Sequence, residues 1–200
     1  MIHDPDGPDM ATAQEAAQGS PWNVPNALTV LRILLVPVFG WLLMTQGGED
    51  PTLRWWALVV FLVAIATDWV DGYLARRQGL VTAFGKLMDP IADKALIGTA
   101  LVGLSVIGLL PWWVTIVILV REIGITLMRF VVIRRGVIPA SKGGKLKTVL
   151  QAVGISILIV PVLGWFAQLG LWVMYAALVV TVVTGVDYVR QAFAPRRRAA

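Results

Sequence analysis

DWVDGYLARRQGLVTAFGKLMDPIAD, residues 68–93, sets four aspartates at the junction of two strongly apolar stretches. Asp68 and Asp71 stand three apart and Asp89 and Asp93 four apart, so each pair shares one face of a helix. The first pair closes one apolar stretch and the second opens the next, with one turn between them. The spacing therefore predicts four carboxylates converging at one membrane interface. An ionised group inside a span costs roughly 3 kcal/mol even on the milder scales, so each needs a reason to be there. Left uncompensated, the four would repel one another. Hard divalent cations relieve that repulsion, and carboxylate oxygens are the ligands that Mg²⁺ or Mn²⁺ prefers. Gly72 and Gly85 remove side chains where a ligand or backbone approaches closely. Arg76 supplies a planar fork suited to phosphate.

The rest of the chain belongs in lipid. Of 200 residues, 58% are hydrophobic and 14% charged, and there is no cysteine. Soluble chains carry about 25% charged residues, so a polar surface cannot be built from this composition. Disorder is excluded on the same ground. Without cysteine there is no disulfide scaffold, thiolate zinc site or cysteine nucleophile. The net charge of +5 fits basic loops against an anionic leaflet better than a nucleic-acid partner. A spanning helix needs about 20 mostly apolar residues. Six stretches qualify: Ala27 to Gln46, Leu53 to Tyr73, Leu87 to Leu110, Trp112 to Ile133, Leu146 to Phe166 and Leu169 to Phe193. The fold class expected is an all-α integral membrane protein with six transmembrane helices and no barrel repeats.

Residues 1–24 read as a flexible acidic arm holding Asp4, Asp6, Asp9 and Glu15, residues 25–195 as one six-helix domain, and 196–200 as a basic tail. With acid rather than base ahead of the first apolar stretch, that stretch does not read as a cleavable signal peptide. His3 has no assigned role. Orientation follows the basic residues. Arg76, Arg77 and Lys86 lie between the second and third spans; Arg134, Arg135, Lys142 and Lys145 lie between the fourth and fifth. Arg190 and Arg196 to Arg198 close the chain, and of 17 basic residues only Arg54 falls in an opposite loop. Both termini are therefore expected on the cytoplasmic side, with the chain crossing the membrane several times. Trp41, Trp55, Trp56, Trp112, Trp113, Trp165 and Trp172 fall near the outer ends of their spans, as an aromatic belt does.

The aspartate segment reads D-x2-D-G-x2-A-R-x8-G-x3-D-x3-D, with Asp68, Asp71, Gly72, Ala75, Arg76, Gly85, Asp89 and Asp93 in the fixed places. In this it resembles the CDP-alcohol phosphatidyltransferase family, whose signature it matches completely. The resemblance implies a six-helix membrane enzyme that moves a phosphatidyl or similar group from a CDP-linked donor to an alcohol and releases CMP. It implies Mg²⁺ or Mn²⁺, two per site, held by Asp68, Asp71, Asp89 and Asp93, with Asp93 as general base. It further implies donor contacts from Gly72, Arg76, Thr82 and Gly85, and a homodimer. Upstream, 25-PNALTVLR-32 sets Asn26, Thr29 and Arg32 on one polar stripe of an otherwise apolar helix. Asn26 is suited to cap the helix start behind Pro25. The resemblance assigns the stripe, Asn26 first and then Thr29 and Arg32, to the nucleotide.

A second polar cluster bears on the acceptor. Arg121, Glu122 and Arg129 lie on the fourth span, and 139-PASKGGKLKTVLQ-151 follows with Lys142, Lys145 and Lys147. Two readings stand for these cations: structural ion pairs and positive-inside topology, or a pocket for an acceptor that itself bears phosphate. REIGIT and PASKGGKLKT, together with the aspartate segment, resemble the bacterial phosphatidylglycerophosphate synthases. That resemblance implies CDP-diacylglycerol and sn-glycerol 3-phosphate as substrates among the membrane lipids. A cardiolipin synthase using phosphatidylglycerol is the nearest alternative, since its acceptor also carries phosphate. A transporter fits less well, because the four acids sit on one turn with no counterpart in the second half. Ala95, Thr99 and Gly103 recur every four residues, which suits close packing within the chain or between subunits.

Overall fold

The computed structural model describes residues 24–78, 83–132, 142–162 and 164–193. Its α-helices are α1 (Val24–Met44), α2 (Pro51–Gln78), α3 (Ala83–Val106), α4 (Trp112–Val132), α5 (Lys142–Ile159) and α6 (Trp165–Phe193). A short 3-10 turn, Thr45–Gly48, joins α1 to α2. The described residues contain no strand. The acidic arm expected at residues 1–24 lies outside the described residues up to position 23, as does the basic tail.

Three of these helices are long and apolar enough to cross a bilayer, over Asn26–Gly48, Pro51–Val70 and Trp165–Arg190. Charge separates the other three from them. Every 18-residue stretch of α3 contains Asp89, Asp93 and Lys94, and every such stretch of α4 contains Arg121, Glu122 and Arg129. α5 carries Lys142, Lys145 and Lys147. The large apolar residues left on the outside, among them Leu34, Leu62, Val120 and Val183, are what a lipid-facing surface requires. The belt tryptophans are all exposed.

The chain divides into two compact units. One takes in the chain up to Val38 together with Val60–Leu96, and it contains the aspartates and the polar stripe of α1. Phe61, Ala64, Ala92 and Leu96 are buried there. The other takes in Phe39–Val59 and the chain from Ile97 onward. In it a Cβ on Gly40 would lie 2.9 Å from Thr99 Cγ2, and one on Gly103 2.8 Å from Leu43 Cδ2. Thr99 and Gly103 of the small-residue stripe thus serve packing within the chain. Gly48, at a φ of 73°, has no space for a side chain either, since its Cβ would lie 2.8 Å from Ile107. Asp50 caps α2, accepting the amides of Thr52 at 2.7 Å and Leu53 at 3.3 Å, with Pro51 at the first helical position. Ser105 and Thr115 hydroxyls meet at 2.7 Å and tie α3 to α4.

Two boundaries differ from expectation in ways that matter. α2 continues to Gln78 and α3 starts at Ala83, so the aspartate pairs sit inside helices and not at their ends. The expected end at Tyr73 followed falling hydrophobicity, but Leu74 to Gln78 have good helix propensity and continue the turn. The second is the end of the fifth span, expected at Phe166, beyond Pro161. α5 instead stops at Ile159, because the residue before a proline avoids helical angles and the proline has no amide to donate. Pro37, by contrast, lies inside an uninterrupted α1.

Ending α5 there leaves its last carbonyls without helical partners, and Arg54 of α2 supplies them. Its Nη2 donates to Leu158 O at 2.7 Å and Val160 O at 3.1 Å, and its Nε to Ile159 O at 3.0 Å. Arg54 is buried, and this contact accounts for the one basic residue expected in an opposite loop, which the structure places in the first turn of α2. A guanidinium at a helix C-terminus also meets the negative end of the helix dipole. Arg54→Ala is expected to lower stability by about 2 kcal/mol, the scale for charged hydrogen bonds lost to buried carbonyls. Arg54→Lys should recover part of it, read from unfolding midpoints of the full chain in detergent.

Candidate functional site

The first unit brings the polar stripe of α1 onto two of the four aspartates. Asn26, Thr29 and Arg32 recur at intervals of three residues, so they run down one face of α1, and all three are buried. Thr29 Oγ1 donates to Asp89 Oδ1 of α3 at 2.7 Å. Arg32 Nη1 donates to Asp68 Oδ1 of α2 at 2.6 Å. Arg32 is fully buried whereas the Asp68 side chain is half exposed. A buried guanidinium requires a fixed anion, and Asp68 supplies it while keeping its other face open. One stripe thus holds carboxylates from two different helices.

This finding sharpens the reading of Thr29 and Arg32, which resemblance assigned to the nucleotide. In the structure both are engaged with the aspartates. The six-residue step from Asn26 to Arg32 shows only a polar face; that the face meets Asp68 and Asp89 is visible in three dimensions alone. Asp93 lies one turn beyond Asp89 on α3 and is partly buried, and Gly85 is buried on the same helix. Among the described residues no three acidic or histidine groups come together as a metal cluster. The side chains of Asp71 and Arg76 lie outside the described residues, although both positions are in α2, as is Gly72. Thr82 lies outside them altogether.

The second unit organises the basic cluster around one acid. Glu122 Oε1 accepts from Arg121 Nη1 at 3.0 Å and also from Lys147 Nζ of α5. Arg121 Nη2 donates to Thr184 Oγ1 of α6 at 2.9 Å. The three charged side chains are only 12–17% exposed, so the pairing is far less screened than a surface ion pair. Gly185 lets Arg121 lie flat on α6, since a Cβ there would come within 3.1 Å of its Nε. Two cations thus share one carboxylate, and α4 is joined to α5 and α6. The arrangement still carries one net positive charge. Lys145 is exposed, and the side chains of Arg129 and Lys142 lie outside the described residues. Thr184, which nothing in its apolar surroundings singles out, was not foreseen.

The sequence matches the family model for CDP-alcohol phosphatidyltransferase over residues 22–183. The chain belongs to the CDP-alcohol phosphatidyltransferase family. It is similar to a protein named probable phosphatidylglycerophosphate synthase from Mycobacterium tuberculosis strain CDC 1551. The two are 52% identical over 181 residues, which cover 90% of this chain and 87% of the relative. It is also similar to CDP-diacylglycerol--glycerol-3-phosphate 3-phosphatidyltransferases of Bacillus subtilis strain 168 and Rickettsia bellii. The first is 40% identical over 84% of this chain and 93% of the relative. The second is 35% identical over 83% and 93%. The matched span in this CDP-alcohol phosphatidyltransferase runs from just ahead of the α1 stripe into α6, and so takes in both polar clusters.

Removing the shared acid tests how the second cluster is held. Glu122→Gln leaves Arg121 and Lys147 without their anion and is expected to cost about 3 kcal/mol of stability. Adding Lys147→Met should recover about half of that loss, because the two positions are coupled. Unfolding of the full chain in detergent, wild type against single and double variants, checks both.

Proposed function

We propose that the protein transfers the phosphatidyl group of CDP-diacylglycerol to sn-glycerol 3-phosphate, giving phosphatidylglycerophosphate and CMP. The observation that carries this reading is the engagement of Asp68 and Asp89 by one stripe of α1, Thr29 and Arg32. It supports a set of carboxylates held in place at the signature of a CDP-alcohol phosphatidyltransferase. The choice of donor and acceptor follows the names borne by the relatives.

The donor set suits a hard cation. Asp68, Asp71, Asp89 and Asp93 offer only carboxylate oxygens, the ligand type of Mg²⁺ and Mn²⁺. We assign these four residues as metal ligands, with two ions per site. When bound, such ions neutralise the diphosphate and stabilise the departing CMP. Arg32 and Thr29 keep Asp68 and Asp89 oriented, so the carboxylates need no rearrangement as substrate arrives. Asn26, Thr29, Gly72, Arg76, Thr82 and Gly85 form the donor-binding set in this reading, with Thr29 acting through Asp89.

Chemistry then proceeds by direct displacement. The acceptor hydroxyl oxygen attacks the phosphorus of the phosphatidyl group, the bond from that phosphorus to the bridging oxygen breaks, and CMP leaves with the electron pair. Asp93 takes the hydroxyl proton. With the four aspartates assigned as metal ligands and base, the signature offers no separate nucleophile to argue for a covalent intermediate. The acceptor's phosphate is assigned to Arg121, Arg129, Lys142, Lys145 and Lys147, where the net positive charge around Glu122 favours a dianion. The remaining parts of the proposal follow the sequence: six spans in a bacterial plasma membrane, both termini and the site in the cytoplasm, and a homodimer.

Purified protein given CDP-diacylglycerol, sn-glycerol 3-phosphate and Mg²⁺ or Mn²⁺ is expected to form phosphatidylglycerophosphate, identified by lipid mass spectrometry. Absence of that product, or product formed only when phosphatidylglycerol is supplied, overturns the assignment of the acceptor. Asp93→Asn should reduce turnover about 100- to 10,000-fold, the usual contribution of a general base. Donor binding, followed by retention of labelled CDP-diacylglycerol, should change little. Near-normal turnover in this variant removes Asp93 from the role of base.

A further inference from the structure

A groove of about 720 Å³ runs between α4 and α6, within the second unit and alongside Arg121 of the charged cluster. Ile116, Val120 and Gly124 form one wall, and Val182, Val186 and Val189 the other. The aliphatic flank of Arg121 contributes to it, Arg190 lies at one end, and no carboxylate among the described residues lines it. Two glycines explain why the space exists. A Cβ on Gly124 would have nothing within 4 Å, and Gly185 admits the Arg121 side chain where α6 would otherwise present its own. Toward the N-terminal ends of the same helices the gap is filled, because Trp113 stacks on Tyr175 at 5.8 Å.

We infer that this groove holds one acyl chain of an anionic membrane phospholipid, with its phosphate on Arg190. Length is the first argument. Ile116 to Met128 along α4 spans roughly 18 Å at about 1.5 Å per residue. That is close to half of the ~30 Å hydrocarbon core, the depth reached by the chains of a single leaflet. Position is the second. Arg190 ends the apolar span Trp165–Arg190, so it stands where headgroups lie when the groove lies among the tails. Charge is the third. Arg190 is exposed, and among the described residues the groove is lined by guanidinium groups and by no acid, which favours an anionic headgroup over a zwitterionic one.

The energetics divide accordingly. Moving a chain from bilayer to groove gains little, because lipid tails are as apolar as the valines that line it. Both kinds of lipid offer Arg190 a phosphodiester, so preference rests on the net headgroup charge beside the guanidinium, while the groove fixes where that lipid stands. This inference requires only that the chain is embedded in a membrane and is independent of which acceptor the enzyme uses.

The test uses the full chain in mixed micelles with phosphatidylserine or phosphatidylcholine of identical chains, and reads retained lipid by native mass spectrometry. Phosphatidylserine is expected to be retained about tenfold over phosphatidylcholine, equivalent to about 1.4 kcal/mol. Arg190→Gln should abolish that preference. Gly124→Phe and the smaller Gly124→Leu, which project into open space, should reduce retention of both lipids, with helix content by circular dichroism unchanged. Equal retention of the two lipids by the wild type overturns the proposal, as does wild-type retention in the Arg190 and Gly124 variants. Two further results would also overturn it. If CDP-diacylglycerol displaces the bound lipid mole for mole, the groove is part of the donor site; if the Gly124 variants alter subunit association in place of lipid retention, it is a protein interface.

Discussion

A buried charge on an apolar helix has to be met by an opposite charge or by hydrogen-bonding groups, and that constraint orders this structure. Arg32 is fully buried on α1 and is answered by Asp68 of α2. Asp89 of α3 is answered by the Thr29 hydroxyl. These two contacts bring three helices together through the residues that the chemistry needs. In the proposed reading stability and function share atoms, because carboxylates that are to bind cations need partners that orient them without filling their open faces. Asp68, half exposed beside a buried arginine, meets both demands.

The same constraint recurs in the second unit with a different outcome. Arg54 is answered by backbone carbonyls and not by an acid, which is possible because Pro161 stops α5 and exposes those carbonyls. Arg121 and Lys147 share Glu122, and Thr184 takes the remaining arm of the guanidinium. Two cations on one carboxylate leave a positive excess in a partly buried place. In the proposed reading the acceptor's phosphate is bound beside these cations.

Much of this was legible along the chain. Helix count, approximate extents and the aspartate signature follow from composition and spacing, since apolar runs of spanning length and acids three and four residues apart allow few other arrangements. Helix ends were less legible. Residues such as Leu74 to Gln78 are polar enough to suggest a loop, yet they continue α2, because helix propensity persists after hydrophobicity falls. At Pro161 the apolar pattern continues and the backbone does not.

The amino-acid sequence by itself determined that the chain is helical, lives in a membrane and carries the CDP-alcohol phosphatidyltransferase signature. Those properties depend on periodicity and residue type, which are local. Tertiary structure alone decided the partners: Arg32 with Asp68, Thr29 with Asp89, Arg54 with the end of α5, and Lys147 with Glu122. The separations in sequence run from 25 to more than 100 residues, so no local pattern encodes them. Only the packing of helix against helix chooses which acid a buried cation meets, and with that choice a row of polar residues becomes a site.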